Sequence, residues 1–311
     1  MTLRVAIVGP TASGKSGLGL RLADELGGEI VNADALQVYR GFDIGTDKPT
    51  SDVRRRVPHH LIDILDPDER FSAGEFARRA RAALADIEGR RKVPIVVGGS
   101  GLYLRALLDG MSPIPPGEPA VEEELRRRLG TEGLPALLDE LREADPATAC
   151  RLAAGDTQRI LRALLVARST GRPLSEWIAE RPFGIQPLPA VKIGLTLPRA
   201  ILYDRISGRV TTMVKRGWVE EVKTLLDRGI EPSFPAFQAI GYRQILRHVQ
   251  GEWSLESALE DTVKATCRYA KRQRTWFRKE AGVRWIPAIE LDDAIPSLMH
   301  DFESAGGRLV S

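Results

Sequence analysis

The chain has 311 residues, 45 Lys and Arg against 42 Asp and Glu, a formal net charge of +3 and 43% hydrophobic residues. It can bury a full core and carry an insertion, and its composition excludes disordered, fibrous and disulfide-scaffold classes. The small net charge identifies no polyanionic partner by itself, so local clustering has to decide. Cys150 and Cys267 lie far apart in no metal-ligand spacing. That fits a reducing compartment. No apolar run nears transmembrane length and no basic-then-apolar leader precedes the first strand, so the expected location is the cytoplasm, with no membrane partner.

The apolar run 3–8 predicts a strand. It leads into Gly9-Pro10-Thr11-Ala12-Ser13-Gly14-Lys15-Ser16 and then a helix over 15–26 with Leu18, Leu22 and Leu26 on one stripe. Strand, G-x-x-x-x-G-K-S loop and helix are the parts of a P-loop. Its glycines let backbone N–H groups face phosphate oxygens, and the helix N-terminus adds positive partial charge. Lys15 supplies a point charge, and the Ser16 hydroxyl can ligate Mg²⁺. The loop specifies phosphate; it does not specify ATP.

A strand over 29–33 ends at Asp34, which puts that carboxylate at the ligand side of an open α/β sheet. A polar loop over 37–49 follows, then a candidate third strand over 60–65. Ser72-x-x-Glu75 reads as a capping box for a helix reaching about residue 90. Strand 93–97 runs into Gly98-Gly99-Ser100-Gly101 and another helix. This β-α alternation predicts a parallel sheet with helices on both faces.

The pattern breaks at Ser112-Pro113-Ile114-Pro115-Pro116-Gly117. Only helical patterns follow, over 120–130, 134–144, 146–154 and 156–170, up to a second proline-rich break at 182–189. A strand over 191–197 then returns to the sheet. Further helices are expected over 199–216, 219–228, 242–249 and 254–279, with a short strand over 283–286. The fold class is therefore α/β, a P-loop NTPase-like parallel core over 1–112 and 188–311 with a helical insertion over 113–187.

Asp34 reads equally well as a Mg²⁺ ligand or helix cap and as a general base beside a bound pyrophosphate. Strand 93–97 ends in Gly-Gly-Ser rather than the Asp of ATPases, although Asp63 remains available as a metal carboxylate. His59 and His60 are adjacent on extended chain and point to opposite faces, which suits a structural or phosphate-facing role better than one shared metal. Residues 262–279 hold seven basic and no acidic residues, with Tyr269 and Trp276 among them. Lys264, Arg268, Lys271, Thr275 and Lys279 share one helix face there, beside an apolar one of Val263, Cys267, Ala270 and Phe277. Such a face is either solvated or a phosphate-backbone contact, and the missing acids favour contact. Gln158, Arg159 and Arg162 open an insertion helix in the same vein. Gln238-Ala239-Ile240-Gly241-Tyr242-Arg243-Gln244 combines amide, glycine, aromatic and guanidinium, the tools for an unstacked base.

Taken in order, four stretches closely resemble bacterial tRNA dimethylallyltransferases: the P-loop; Asn32-Ala33-Asp34-Ala35-Leu36-Gln37-Val38-Tyr39-Arg40-Gly41-Phe42-Asp43-Ile44-Gly45-Thr46-Asp47-Lys48-Pro49; Pro58-His59-His60-Leu61-Ile62-Asp63; and Val97-Gly98-Gly99-Ser100-Gly101-Leu102-Tyr103. The 238–244 stretch and Tyr269-Ala270-Lys271-Arg272-Gln273-Arg274-Thr275-Trp276-Phe277-Arg278 continue the resemblance, which spans residues 3 to about 285. It implies transfer of a dimethylallyl group from dimethylallyl diphosphate to N6 of adenosine 37 of tRNA. Gly9, Pro10, Thr11, Ala12, Ser13, Gly14, Lys15 and Ser16 would then hold the donor diphosphate, with Mg²⁺ at Ser16. Asp34 would be the base and Arg209 a second cation at the diphosphate. Asp34, Ala35, Leu36, Gln37, Ser100, Glu122, Gln158, Arg159, Arg162, Gln238, Gly241, Tyr242 and Arg243 would contact the anticodon stem-loop, clasped by the insertion. A monomer is expected. Two departures fall on the rim: Ala35-Leu36 where Ser-Met is common, and Ser100 where Thr is frequent. A free-nucleotide prenyltransferase, a small-molecule kinase and a non-catalytic RNA-binding module are the competing readings. The insertion and basic helix disfavour the first, and intact Lys15 and Ser16 disfavour the last.

Overall fold

Successive strands are separated by helices, the long crossover connections that parallel pairing requires. The computed structural model describes residues 4–112, 114–180 and 187–304. Within them, β1 (Val5–Val8), β2 (Gly28–Asn32), β3 (His59–His60), β4 (Val93–Val97), β5 (Val191–Thr196) and β6 (Val283–Pro287) form one parallel sheet in the order β3-β2-β4-β1-β5-β6. Ile7 pairs with Val97 and Ile193, and Asn32 pairs with Val97. The carboxyl ends of β1, β2 and β4 therefore finish level and adjacent.

The helices of the core are α1 (Lys15–Leu26), α2 (Ser51–Arg56), α3 (Ala73–Gly89) and α4 (Gly101–Leu108). The inserted α5 (Pro119–Ala144), α6 (Pro146–Ala149), α7 (Thr157–Thr170) and α8 (Leu174–Glu180) follow. The chain then returns to the core with α9 (Arg199–Lys215), α10 (Trp218–Asp227), α11 (Tyr242–Val249), α12 (Leu255–Phe277) and α13 (Leu291–Ser304). Val5, Ile7, Ile30, Ile95, Val97, Ile193 and Leu195 pack with Leu18, Leu22 and Leu26 of α1 and with Leu298 and Phe302 of α13. The crossovers β1→β2 and β3→β4 run in opposite directions, so right-handed connections place α1 and α3 on opposite faces.

The third strand is shorter than the 60–65 expected. Leu61 and Asp63 take left-handed backbone, φ 62° and 56°, which ends the strand after His60. The turn points Asp63 at Lys48 (2.5 Å) and Arg54 (2.6 Å). Both its oxygens carry cations, so Asp63 is not a metal ligand here. His60 pairs with the buried Glu29 at 2.7 Å and His59 bonds the Val57 carbonyl, which makes both structural. The helix expected over 254–279 begins after a Ser254 cap, whose hydroxyl accepts from Ser257 N–H. Ser72 likewise accepts from Glu75 N–H, but the Glu75 carboxylate turns to Arg78 and Arg79 rather than closing a box.

The chain divides into two compact units, Met1–Leu108 with Pro189–Ser311, and Asp109–Leu188. The proline-rich breaks at 112–117 and 182–189 flank the second; Pro113 and residues 181–186 lie outside the described residues. In that unit Leu125, Leu137, Leu141, Ile160 and Leu164 make a separate core. The two helices expected over 120–130 and 134–144 join as α5, broken at Gly133 (φ 80°, ψ 167°), and the one expected over 146–154 shrinks to α6.

In the first unit, a second core of Val38, Phe42, Trp218, Phe237 and Tyr242 sits under the 37–48 loop. Lys48, 6% exposed, pins this loop by donating to the Tyr39 carbonyl (2.5 Å), Asp43 (2.7 Å) and Asp63. Lys48→Met should therefore lower stability by about 1.5–3 kcal/mol, the range for hydrogen bonds to a charged group. Urea unfolding followed by circular dichroism measures it, with the loss appearing as a lower midpoint at unchanged slope.

Candidate active site

The P-loop begins where β1 runs out, with Gly9 at φ 144° and Gly14 at φ 95°, backbone that a side chain would strain. Gly14 caps α1 with no side-chain partner, and the first turn of α1 holds no acidic residue. Its N–H groups and dipole are thus left for an anion. Ser13 is fully buried, and its hydroxyl has no partner among the described residues. Ser16 is exposed in the first turn of α1, a hard oxygen donor of the type Mg²⁺ takes.

Part of the Lys15 side chain reaches solvent, but its ammonium turns into the loop and donates to the Pro10 carbonyl at 2.6 Å. Burial, then the neighbouring Arg209 charge, lower its pKa to about 7, while Asp34 opposes both. Arg209 comes from α9. It donates to Thr11 Oγ1 at 2.9 Å, and its Nε lies 3.2 Å from Asp47 Oδ2 in ion-pair range without hydrogen-bond alignment. Asp47 also faces Arg216 at 3.3 Å. Asp34, half-buried, accepts from Leu36 N–H at 2.8 Å and is close enough for its charge to act on Lys15, Tyr103 and Tyr269. Ser100 follows β4 at the next loop over, beside the Tyr269 hydroxyl. Burial first, and Asp34 second, push that hydroxyl up to about 12.

Lys15, Asp34, Ser100 and Arg209 thus share one cleft at the carboxyl ends of β1, β2 and β4. Two participants were not singled out from the sequence. Gln273 accepts from Thr11 N–H at 2.8 Å and donates to the Gly99 carbonyl at 2.9 Å. The available signal was a polar residue on the apolar stripe, three after Ala270 and four before Phe277. Asp47 carried no pattern of its own.

The IPP transferase family model matches residues 37–280. The chain belongs to the IPP transferase family. It is 46% identical to the tRNA dimethylallyltransferase of Geobacter sulfurreducens, covering 97% of both chains, and 46% identical to that of Syntrophobacter fumaroxidans over 96% of this chain and 87% of the other. It resembles the crystal structure of the full-length tRNA isopentenylpyrophosphate transferase of Bacillus halodurans, with TM-score 0.68, 37% identity, and coverage of 99% and 100%. A eukaryotic dimethylallyltransferase captured acting on tRNA matches at TM-score 0.81 and 26% identity, over all of this chain and 81% of the other.

Other residues expected at the acceptor side of an IPP transferase fall into two groups. Gln238 and Arg243 are exposed, α12 presents Lys264, Arg268, Lys271 and Arg272 to solvent, and Arg278 and Lys279 follow its end, also exposed. Tyr242, by contrast, is 0% exposed: its ring lies in the core, and its hydroxyl donates to Glu221 (2.5 Å) and accepts from Gly45 N–H (3.1 Å). It offers no face to a base, which corrects that expectation. Gly241 is buried too, and a Cβ there would lie 2.2 Å from Trp218. Ala35, Leu36 and Gln37 are half-buried, and Gln37 Nε2 donates to the Thr46 carbonyl at 3.0 Å, bracing the loop that carries Asp47. In the second unit Gln158 and Arg159 are exposed, whereas Arg162 donates to the Pro116 carbonyl and, at 2.7 Å, to that of Pro115. Arg162 holds the linker instead of offering a free guanidinium. Glu122 pairs with Arg126 at 2.8 Å.

A Lys that titrates near 7 alone should stay charged once a diphosphate lies against it. Pyrophosphate binding should therefore take up an extra proton at about pH 8, where Lys15 is mostly neutral, and none from this source at about pH 6. Calorimetry in two buffers of different ionisation enthalpy measures the uptake. Lys15→Met should abolish the difference between the two pH values attributable to this group and weaken binding at both.

Proposed function

We propose that this chain transfers a dimethylallyl group from dimethylallyl diphosphate to N6 of adenosine 37, beside the anticodon of tRNA, releasing diphosphate. Membership of the IPP transferase family supports the reaction class. One observation carries the site: a carboxylate, Asp34, stands at the mouth of a phosphate cradle, close enough to act on Lys15. A phosphate site alone would fit any P-loop protein; a proton acceptor at its edge fits group transfer to an amine.

The allylic C–O bond breaks with its electron pair passing to the diphosphate. The N–H groups at the N-terminus of α1, Lys15 and Arg209 stabilise that developing charge because they are already in place. Mg²⁺, which the Ser16 hydroxyl would hold, would supply further positive charge to the leaving group. The exocyclic amine attacks the allylic carbon, forms the new C–N bond and loses its proton to Asp34. Because this amine is a poor nucleophile, close placement matters as much as the base. Ser100, beside Tyr269, lines the acceptor side. Adenosine 37 is stacked in the anticodon loop and has to be turned out to reach the cleft. The exposed basic face of α12 and the inserted unit, with Gln158 and Arg159 outward, supply phosphate contacts. A single chain holds every residue of this scheme, and a reducing cytoplasm suits its unpaired Cys150 and Cys267. Among the described residues no helix is long and apolar enough to cross a membrane.

Mass spectrometry of nucleosides from tRNA incubated with enzyme, Mg²⁺ and dimethylallyl diphosphate should yield N6-isopentenyladenosine. ATP in place of the donor should yield none, and stoichiometric ADP release would instead indicate a kinase. Asp34→Asn keeps an acceptor for Leu36 N–H and removes the basicity, so turnover should fall ~10²–10⁴-fold with tRNA affinity unchanged in a filter-binding assay. Replacing Lys271 and Lys279 together by Ala should weaken tRNA binding and reduce its log–log salt slope by about 0.7–0.9 per lost contact.

A further inference from the structure

We propose that Gln273 is a positioning residue for the transfer step: it fixes the distance between the phosphate cradle and the acceptor-side loop. The inference rests on the reaction proposed above. Gln273 lies on the inner face of α12 and is 6% exposed. Its Oε1 accepts from Thr11 N–H in the P-loop (2.8 Å), and its Nε2 donates to the Gly99 carbonyl in the loop after β4 (2.9 Å). One planar amide thus joins the loop that holds the leaving group to the one that carries Ser100. Both tasks need a single group offering one acceptor and one donor; a carboxylate provides only acceptors and an ammonium only donors.

The approach is close on every side. A Cβ on Gly99 would lie 2.2 Å from Gln273 Nε2, so this loop meets the amide through bare backbone. The hydroxyl of Tyr269, one turn earlier on α12, lies near both Ser100 and Gln273. Thr11 in turn accepts from Arg209. Arg209, Thr11, Gln273 and Gly99 are therefore linked by hydrogen bonds through the cradle, with the Tyr269 phenol and Ser100 beside the far end. The opposite face of the same helix carries the exposed basic residues, so RNA docked there bears on the element that sets this spacing. Displacing one reacting loop by about 1 Å relative to the other is the kind of error that costs ~10²-fold in rate.

Single-turnover prenyl transfer is measured for wild type, Gln273→Met and Gln273→Glu, alongside pyrophosphate and tRNA affinities. Gln273→Met should lose about 10²-fold in rate while both affinities stay within about threefold, because cradle and RNA face are each intact and only their spacing is free. In Gln273→Glu the carboxylate keeps the bond from Thr11 N–H and repels the Gly99 carbonyl; the carboxylic acid restores a donor. Its rate relative to wild type should rise as pH falls through that carboxyl's titration, a signature that a merely structural role would not produce. A Gln273→Met rate within about threefold of wild type, a parallel loss of both affinities, or a flat Gln273→Glu ratio would each overturn the inference. If Gln273→Met does not fold, the Gln273→Glu profile decides. If wild type itself forms no prenylated tRNA, the proposed reaction fails instead, and the two failures are told apart by that control.

Discussion

Two cations brought together at one loop set the terms for the rest of the site. Lys15 and Arg209 meet at the P-loop, where burial and mutual repulsion bring the ammonium to about 7. A free chain would separate such charges or solvate them. Here Lys15 is tied to the Pro10 carbonyl, and Arg209 to Thr11 and Asp47, so neither can withdraw. On the reaction proposed above, a diphosphate would relieve this repulsion, the more so as it leaves and gathers charge. The same arrangement explains why Asp47 takes left-handed backbone, φ 55°, in a loop pinned by Gln37 and Lys48. That loop is shaped to deliver one carboxylate to two arginines.

The sheet supplies the rigidity that this requires. Inserting β4 between β1 and β2 brings three carboxyl ends level, so P-loop, Asp34 and Ser100 arise from neighbouring strands rather than from one flexible segment. Backbone bonds then cross between the strand ends: Gly98 N–H reaches the Ile7 carbonyl at 3.2 Å and Ala33 N–H the Val97 carbonyl at 2.8 Å. Gly98 permits this closeness, since a Cβ there would lie 2.3 Å from the Ala33 carbonyl oxygen. The Gly-Gly-Ser end of β4, which set the chain apart from ATPases, is thus a packing requirement of the cleft as much as a chemical one.

Asp63, Tyr242 and Arg162 show why a polar or aromatic residue in a suggestive string is not yet a contact. Each sits in a stretch with the right chemistry, and each is occupied by its own fold. Glu221 illustrates the reason. Burial raises its carboxyl, and it stays in place by accepting from Tyr242 and from the N–H groups of Asp43 and Ile44. Such groups must be satisfied before they can serve a ligand, and here the loop over the second core takes all their capacity. The exposed Gln238 and Arg243 of the same string remain at the surface.

The local rules were enough for much of this architecture. Strand 93–97, helices 15–26 and 242–249 and the P-loop itself follow from periodicity and glycine placement, interactions that span a few residues. Asp34 was legible because a strand's carboxyl end has a fixed relation to a parallel sheet's ligand side. Arg209 was legible only through resemblance, since nothing in its helix distinguishes one exposed arginine from the next. The pairing of Thr11 and Gly99 with Gln273, of Asp47 with Arg209 and Arg216, and the burial of Tyr242 were decided by tertiary structure alone. Those contacts join residues up to 262 positions apart. The energy that selects them is burial and hydrogen bonding between elements whose proximity no local pattern encodes.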